Sequence, residues 1–215
     1  RLLNYKNQLL LWLMTISIIY SQAQVSLTAT AGVATGTYTT VSQAFDSINS
    51  ARHSGDIVLT ITANTTEPTV PSALLKPAAS GYSSVKIVPQ GVRTIGITNL
   101  NTNRGIIQLF GARNVEIDGD DPAVSGVDRS LTIGFYGGSA SFNNTAVIRI
   151  GSVATPSDSA ASITVKNCNI VGPRPSTTSN SINYGIVIAS NNTANLLTFG
   201  IRNRDILIEN NTFIR

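Results

Sequence analysis

Short runs of β-type residues recur in this chain in pairs, at a spacing of about 40 residues. Leu109, Ile150 and Ile188 hold equivalent positions in successive pairs and lie 41 and then 38 residues apart. A unit of this length cannot bury its apolar face alone, so such a repeat predicts units that stack on their neighbours. We therefore expect a solenoid in which these three side chains point into one continuous interior.

Most of the runs alternate apolar with polar residues, the pattern of a strand with one buried face. Val, Ile and Thr are frequent in them and only 12% of the chain is charged, which favours pleated, half-buried structure over helix. No Asn-Gly or Asp-Gly pair joins two equal runs as a tight hairpin would require. The prediction is an all-β fold, a right-handed parallel β-helix. Its strands are predicted at Val85–Val88, Ile106–Leu109, Val115–Asp118, Leu131–Ile133, Val147–Ile150, Ile163–Lys166, Ile186–Ile188 and Ile206–Glu209.

One helix interrupts the β pattern near the start of the chain. Thr40 and Gln43 are spaced as in a capping box, and the apolar residues that follow recur at helical spacing. This predicts a short amphipathic helix over about residues 40–53, followed by a first strand at 56–61. We expect residues 24–62 to form an N-terminal cap, because the apolar face of a helix covers the open end of a β stack.

Two of the later runs end in asparagine. Asn167 follows Lys166, and Asn210 follows Glu209. Asparagine tolerates left-handed backbone geometry and bonds its own backbone, so it turns a chain sharply without glycine. Side chains of this kind that stack at equal heights hydrogen-bond to one another as a ladder. We therefore predict that Asn167 lies one rung below Asn210.

Residues 1–23 have the three parts of a secretory signal peptide. Arg1 and Lys6 are basic, Leu9–Tyr20 is a largely apolar core, and a small-x-small cleavage site ends at Ala23. A membrane anchor is the alternative, but a span needs about 20 apolar residues and this core is shorter. We expect a secreted or bacterial cell-surface protein with no membrane span after cleavage.

The stack is predicted to occupy residues 63–215. The chain ends at Arg215, directly after a strand-like run and without a closing element. We therefore expect a fragment whose coils are truncated at the C-terminus. Cys168 is the one cysteine, so internal disulfides are excluded and packing and hydrogen bonds must hold the stack together.

The charge of the chain does not favour a nucleic-acid partner. Of the 15 Lys and Arg residues, two lie in the predicted leader, which leaves 13 against 11 acidic residues. These cations are scattered singly, without the runs or the interleaved aromatic residues that phosphate-backbone binding requires. We expect no nucleic acid among the partners.

Five segments carry a family resemblance: GTYTTVSQAFDSIN, GDIVLTI, NVEIDG, SITVKNCNIVG and DILIENNTFI. They resemble the pectin-lyase-like superfamily over about residues 25–215. The resemblance implies a parallel β-helix, and the leader and cap especially resemble those of exported bacterial surface proteins that carry a β-helix. That superfamily includes lyases, hydrolases, adhesins and structural stalks, so fold alone does not imply function. Its hydrolases carry an Asp-Asp pair with histidine and Arg-x-Lys partners, and Asp120-Asp121 stands here without them. No catalytic residue is therefore carried over.

The acidic cluster of the sequence is EIDGDDP, with Glu116, Asp118, Asp120 and Asp121. Its carboxylates suit a Ca²⁺ site, because hard cations bind several carboxylate oxygens. They also suit the carboxylate pair of glycoside hydrolysis. The alternative is a solvated turn, where Asp, Gly and Pro are common, and this is the interpretation that we favour. We expect no bound cofactor, with Ca²⁺ as the alternative.

The remaining candidates are single residues. His53 is the one histidine, and we expect it on the surface at the end of the cap helix, where the helix dipole favours it. Cys168 has no visible base to lower its thiol pKa, so a small buried residue is the better interpretation. Phe135 and Tyr136 lie in an aromatic, glycine-rich loop and suit either stacking on a sugar or covering the core.

These features predict a non-catalytic, exported surface module that is adhesive or binds glycans. The abundant Ser, Thr and Asn would give its outer faces many hydroxyl and amide groups. The alternative is the N-terminal part of a polysaccharide lyase or glycoside hydrolase whose active site lies beyond residue 215. A bare spacer that carries another domain is a third possibility.

Overall fold

The computed structural model describes residues 23–77, 81–136, 144–152, 159–173, 183–190 and 202–214. In these residues the protein is mostly β-structure with one short helix, so the all-β prediction is confirmed. None of the described residues form a helix long and apolar enough to cross a membrane. The predicted leader lies outside the described residues, except for Ala23. The elements are β1 (Val25–Gly32), β2 (Thr35–Tyr38), α1 (Val41–Asn49), β3 (His53–Ile61), β4 (Thr65–Thr66), β5 (Ala73–Leu75), β6 (Tyr82–Pro89), β7 (Arg93–Ile97), β8 (Gly105–Phe110), β9 (Arg113–Asp118), β10 (Leu131–Phe135), β11 (Thr145–Ser152), β12 (Ala161–Lys166), β13 (Cys168–Val171), β14 (Asn183–Ser190), β15 (Arg204–Glu209) and β16 (Thr212–Ile214).

The described strands form three sheets that the chain visits in turn. From β3 onward, each strand pairs in parallel with the strand three elements later. The seven-stranded sheet has the order β15-β12-β9-β6-β3-β1-β2, the five-stranded sheet β16-β13-β10-β7-β4 and the four-stranded sheet β14-β11-β8-β5. The prediction of parallel pairing is confirmed for these strands.

The pairing register aligns the three landmark residues of the sequence repeat. Ile150 in β11 pairs with Leu109 in β8 and with Ile188 in β14. The spacing is less regular elsewhere, since Val115 pairs with Val85 on one side and with Ile163 on the other. The long segment between β9 and β10 lengthens the spacing from Val115 to Ile163, whereas the spacing from Val85 to Val115 is shorter. The repeat near 40 residues therefore does not hold in every sheet.

The inward positions of neighbouring strands build the core. In the seven-stranded sheet, Leu59, Ile87, Ile117 and Val165 occupy successive paired positions and are all fully buried. Burial of one such aliphatic side chain contributes about 1.5–3 kcal/mol. These side chains belong to one continuous apolar cluster that also receives residues of the other two sheets and of α1.

The start of the chain differs from the prediction. β1 and β2 were not predicted, and β1 pairs antiparallel with both β2 and β3. Among the described strands, antiparallel pairing is limited to these two contacts. Val25 and Leu27 of β1 are fully buried, so the first strands extend the core at the end where the parallel order begins.

The cap helix is shorter than predicted, because it ends at Asn49 instead of near residue 53. Ser50 is its C-cap, and Ala51 follows with φ of 59°, the left-handed conformation that commonly ends a helix. Asn49 then binds β5, where its Nδ2 donates to the Ala73 carbonyl at 2.7 Å and its Oδ1 accepts from the Leu75 N–H at 3.0 Å.

The expectation that His53 lies on the surface at the helix end is wrong. His53 is the first residue of β3 and is fully buried. Its Nδ1 lies 2.5 Å from the Val33 carbonyl oxygen and its Nε2 lies 2.6 Å from the Tyr38 hydroxyl. Because the helix ends at Asn49, β3 already begins at His53. The His53 ring therefore links β3 to Tyr38 of β2 and to Val33, which follows β1.

Three side chains form hydrogen bonds at the N-terminus of α1. The Thr40 hydroxyl accepts from the Gln43 N–H at 3.1 Å, as a capping box predicts. Gln43 Oε1, however, accepts from the N–H and hydroxyl of Thr39, at 3.1 and 2.8 Å, and not from Thr40. The buried Glu67 accepts from the N–H groups of Val41 and Ser42, both at 3.0 Å.

The strands β14, β15 and β16 form the last edges of the three sheets. Several apolar side chains there are exposed, with 58% of Phe213, 48% of Leu207 and 45% of Ile188 open to solvent. The two ends of the described structure therefore differ. One end is closed by α1 and the antiparallel strands, whereas the other presents apolar side chains.

Replacement of Glu67 tests the attachment of the cap helix. Glu67→Ala leaves two buried N–H groups without their acceptor, and we expect a loss of about 2–4 kcal/mol in unfolding free energy. Glu67→Gln keeps one carbonyl oxygen and should lose roughly half as much. Urea unfolding measures both variants. An Ala variant as stable as the parent would contradict this role.

The same residue predicts a pH dependence. Burial raises the pKa of Glu67, although the two backbone N–H groups oppose this shift. A raised pKa in the folded state means that stability is greatest below the ordinary glutamate pKa of about 4 and falls as the pH rises through the folded value. Relative to Glu67→Gln, the parent should therefore lose stability with rising pH. If the difference in unfolding free energy between the parent and Glu67→Gln does not change with pH, the prediction is contradicted.

Candidate functional site

The predicted acidic cluster divides into two parts with different surroundings. Glu116 and Asp118 lie on the outer face of β9, between a lysine of β6 and a lysine of β12. Lys86 Nζ lies 2.8 Å from Glu116 and 3.7 Å from Asp118, and Lys166 Nζ lies 3.6 and 3.4 Å from the same carboxylates. Opposite charges on neighbouring strands thus neutralise one another across three strands.

Hydrogen bonds hold Asp118 in its ionised form. Burial opposes ionisation, but the Asn167 amide, the Asp120 N–H and the Lys166 ammonium outweigh it and lower the pKa of Asp118 below its ordinary value. Burial likewise favours the neutral amine of Lys166, but Asp118 and Glu116 raise its pKa. A general acid or base works best with a pKa near the operating pH. The pKa of Asp118 is lowered and that of Lys166 is raised, so both move away from a neutral operating pH.

Asp120 and Asp121 lie in the long turn between β9 and β10, and they accept hydrogen bonds from this turn and from Gly91 between β6 and β7. Asp120 Oδ1 accepts from the Asp128 N–H at 2.9 Å. Asp121 Oδ2 accepts from the Gly91 N–H at 2.7 Å, and its Oδ1 accepts from the Ala123 N–H at 2.9 Å. These bonds are typical of a turn built by aspartate side chains. In the described ranges, no three His, Cys, Asp or Glu residues are placed to hold a metal ion.

The two predicted ladder residues are in direct contact. Asn210 Nδ2 donates to Asn167 Oδ1 at 2.6 Å, and Asn167 Nδ2 donates to Asp118 Oδ1 at 2.8 Å. Both asparagines are left-handed, with φ of 58° for Asn167 and 50° for Asn210. Arg129 Nη2 donates to the outer end of this chain, at Asn210 Oδ1. The acidic strand end and the asparagine turns therefore form one hydrogen-bonded row.

Cys168 follows Asn167 in the sequence and is fully buried. Its Sγ is 3.1 Å from the Lys166 carbonyl oxygen. Burial raises the pKa of the thiol to about 12, and the negative charge of Asp118 adds to the shift. Since the thiolate is the reactive form of cysteine, this environment suits packing and not nucleophilic chemistry.

The structure separates the two aromatic candidates. Phe135 ends β10 and is buried at the edge of the core, whereas Tyr136 follows it on the outer side with 40% of its surface exposed. The Tyr136 N–H donates to the Ile97 carbonyl at 2.9 Å, which holds the residue beside β7. Tyr136 is therefore the member of the pair that a ligand can reach.

Tyr136 forms one wall of a shallow cleft of about 210 Å³ on the outer face of the five-stranded sheet. Its hydroxyl donates to Thr94 Oγ1 at 3.1 Å, and Asn64 Oδ1 accepts from the Thr94 N–H at 3.0 Å. The ring lies against Gly96, where a Cβ atom would stand 2.6 Å from Tyr136 Cδ2. The lining residues are Asn64, Thr65, Thr66, Thr94, Gly96, Ile97, Thr98 and Tyr136.

The sequence pattern indicates Tyr136 but not the other residues of the cleft. β4 has only two residues, too few to show a period, so Asn64 and Thr66 read as a loop. Gly96 is the available signal, because a glycine between Ile95 and Ile97 in a strand marks a close approach of another group. The glycine does not say which group approaches.

Comparisons with protein-family models, with curated proteins and with solved structures find no match to this chain. The candidate site therefore depends on the geometry of the described residues.

Two substitutions of Asn167 separate its backbone role from its side-chain role. Asn167→Gly keeps the left-handed turn at little cost and loses only the row of hydrogen bonds, so we expect a loss of about 1–2 kcal/mol in unfolding free energy. Asn167→Ala adds about 1 kcal/mol of left-handed strain. Both variants should also raise the pKa of Asp118, which NMR titration measures. A Gly variant with unchanged stability and an unchanged Asp118 pKa would contradict the role of the row.

Proposed function

We propose that the described chain forms the first coils of a right-handed parallel β-helix of the pectin-lyase-like kind, closed at its N-terminal end by α1 and β1–β2. The strand order supports this proposal, because each sheet takes every third strand. In such a stack the core holds the fold, and the outer faces are free to vary for binding. The proposal also makes residues 1–23 a cleaved leader and the protein a secreted or cell-surface one.

We further propose that the protein is a non-catalytic module that binds glycans or adheres to a glycan-bearing surface. The observation that carries this proposal is the Tyr136 cleft, where an exposed aromatic ring stands beside uncharged hydroxyl and amide groups. Aromatic faces offer an apolar surface to a sugar ring, and the tyrosine hydroxyl adds a polar group at the same place. Few, well-placed polar groups around an apolar wall are typical of ligand sites.

The roles of the other candidates support a binding function over catalysis. Asp118 is ion-paired and hydrogen-bonded. Asp120 accepts a bond from its own turn, and Asp121 accepts one from Gly91 between β6 and β7. Cys168 is buried with a raised pKa. Each of these groups has a structural partner, whereas the open faces of Thr66, Thr98 and Tyr136 border the cleft.

Glycan binding without turnover is the test of this function. We expect the purified chain to bind a subset of immobilised polysaccharides on a glycan array. Incubation with the same polysaccharides should release neither reducing ends nor unsaturated sugars. The heat-denatured chain serves as the control for specific binding.

Two results would overturn the proposal. Release of sugars by the purified chain would favour the lyase or hydrolase alternative. Failure to bind any polysaccharide or glycan-bearing surface would favour the role of a spacer.

A further inference from the structure

We propose that the Tyr136 cleft accepts a single uncharged sugar ring, stacked on the open face of Tyr136, and discriminates against uronic acids and other acidic sugars. This inference rests on the proposed glycan-binding function and deepens it. The carrying observation is that none of the eight described lining residues bears a charge.

The charged residues next to the cleft in sequence are turned away from it. Glu67 follows Thr66, but its two carboxylate oxygens accept the N–H groups at the start of α1. Arg93 precedes Thr94, but its Nη1 donates to the Val92 carbonyl at 2.9 Å and its guanidinium lies beside Gly91. A carboxylate on a bound sugar would therefore be desolvated without a cationic partner, which is costly.

The polar groups of the cleft match hydroxyl groups instead. Thr66 and Thr98 are exposed, and a hydroxyl both donates and accepts a hydrogen bond. Asn64 Oδ1 is occupied by the Thr94 N–H, so its Nδ2 remains as the donor toward a ligand. Sugar hydroxyls also donate and accept, so a neutral ring can pair with each of these groups.

The Tyr136 ring is positioned for stacking before a ligand arrives. Its hydroxyl is held by Thr94 at one end, and its backbone N–H is held by Ile97 at the other. Gly96 gives the ring its place against β7, since a side chain there would collide with it. A ring that is already fixed loses little conformational entropy on binding.

The size of the cleft limits the ligand to about one ring. Its volume of about 210 Å³ lies below the range of about 300–1,000 Å³ that is typical of pockets for drug-sized molecules. A single sugar on such a shallow surface should bind with Kd on the order of 1 mM. Tight attachment to a polysaccharide would then require several copies of the protein on one surface.

Titration with two matched probes tests the inference. A neutral β-linked hexose trisaccharide and the corresponding hexuronic-acid trisaccharide are titrated into the full chain, with NMR chemical shifts as the readout. We expect the neutral probe to bind at least tenfold more tightly. Tyr136→Ala should lose this binding, Tyr136→Phe should keep most of it, and the exposed Val92→Ala should leave it unchanged.

Two further variants keep the test decisive if Tyr136→Ala fails to fold. Gly96→Ala should displace the ring from β7 and weaken neutral-sugar binding. Thr66→Lys places a cation at the rim, and we expect it to gain affinity for the hexuronic-acid probe relative to the parent. Unchanged binding of both probes in both variants would show that sugars bind elsewhere.

The possible failures are distinguishable. Equal or tighter binding of the acidic probe, lost in Tyr136→Ala, would overturn the neutral-sugar inference and leave glycan binding intact. Neutral-sugar binding that persists in a folded Tyr136→Ala would overturn the location. If the parent binds neither probe and no polysaccharide on the array, the proposed function itself fails.

Discussion

Parallel pairing in register is the constraint on which the rest of this structure depends. Side chains alternate between the two faces of a strand, so a slip of one residue would turn every inward aliphatic group toward solvent. In the described strands, Leu59, Ile87, Ile117 and Val165 stay aligned and fully buried across four strands. The core is therefore built from columns of side chains, each supplied by a different part of the chain.

The same register organises the outer surface. Because neighbouring strands are aligned, Asn167 meets Asn210 and Asp118 in one row, and lysines meet acids in another. The position of Tyr136 also depends on this alignment. Tyr136 follows β10, and its hydroxyl donates to Thr94 on the neighbouring strand β7. Polar groups from distant parts of the sequence thus come together without any of them entering the core.

Alternation and spacing were sufficient to predict the pairs that the register depends on, such as Leu109 with Ile150, and the contact of Asn167 with Asn210. They were insufficient where a residue takes its role from a distant partner. Glu67 gives no local sign that it caps a helix more than 20 residues earlier. His53 was assigned to the helix because nothing in its neighbourhood signals that Ala51 turns left-handed.

The distance between two spin labels on the outer face of the seven-stranded sheet tests the register directly. Val58 and Leu207 stand at the ends of one column that runs through Lys86, Glu116 and Thr164. Four strand spacings of about 4.8 Å place their Cα atoms roughly 19 Å apart. Pulsed EPR on Val58→Cys/Leu207→Cys in a Cys168→Ser background should give one narrow distribution near that value. A broad distribution, or one centred beyond about 30 Å, would contradict stacking in register.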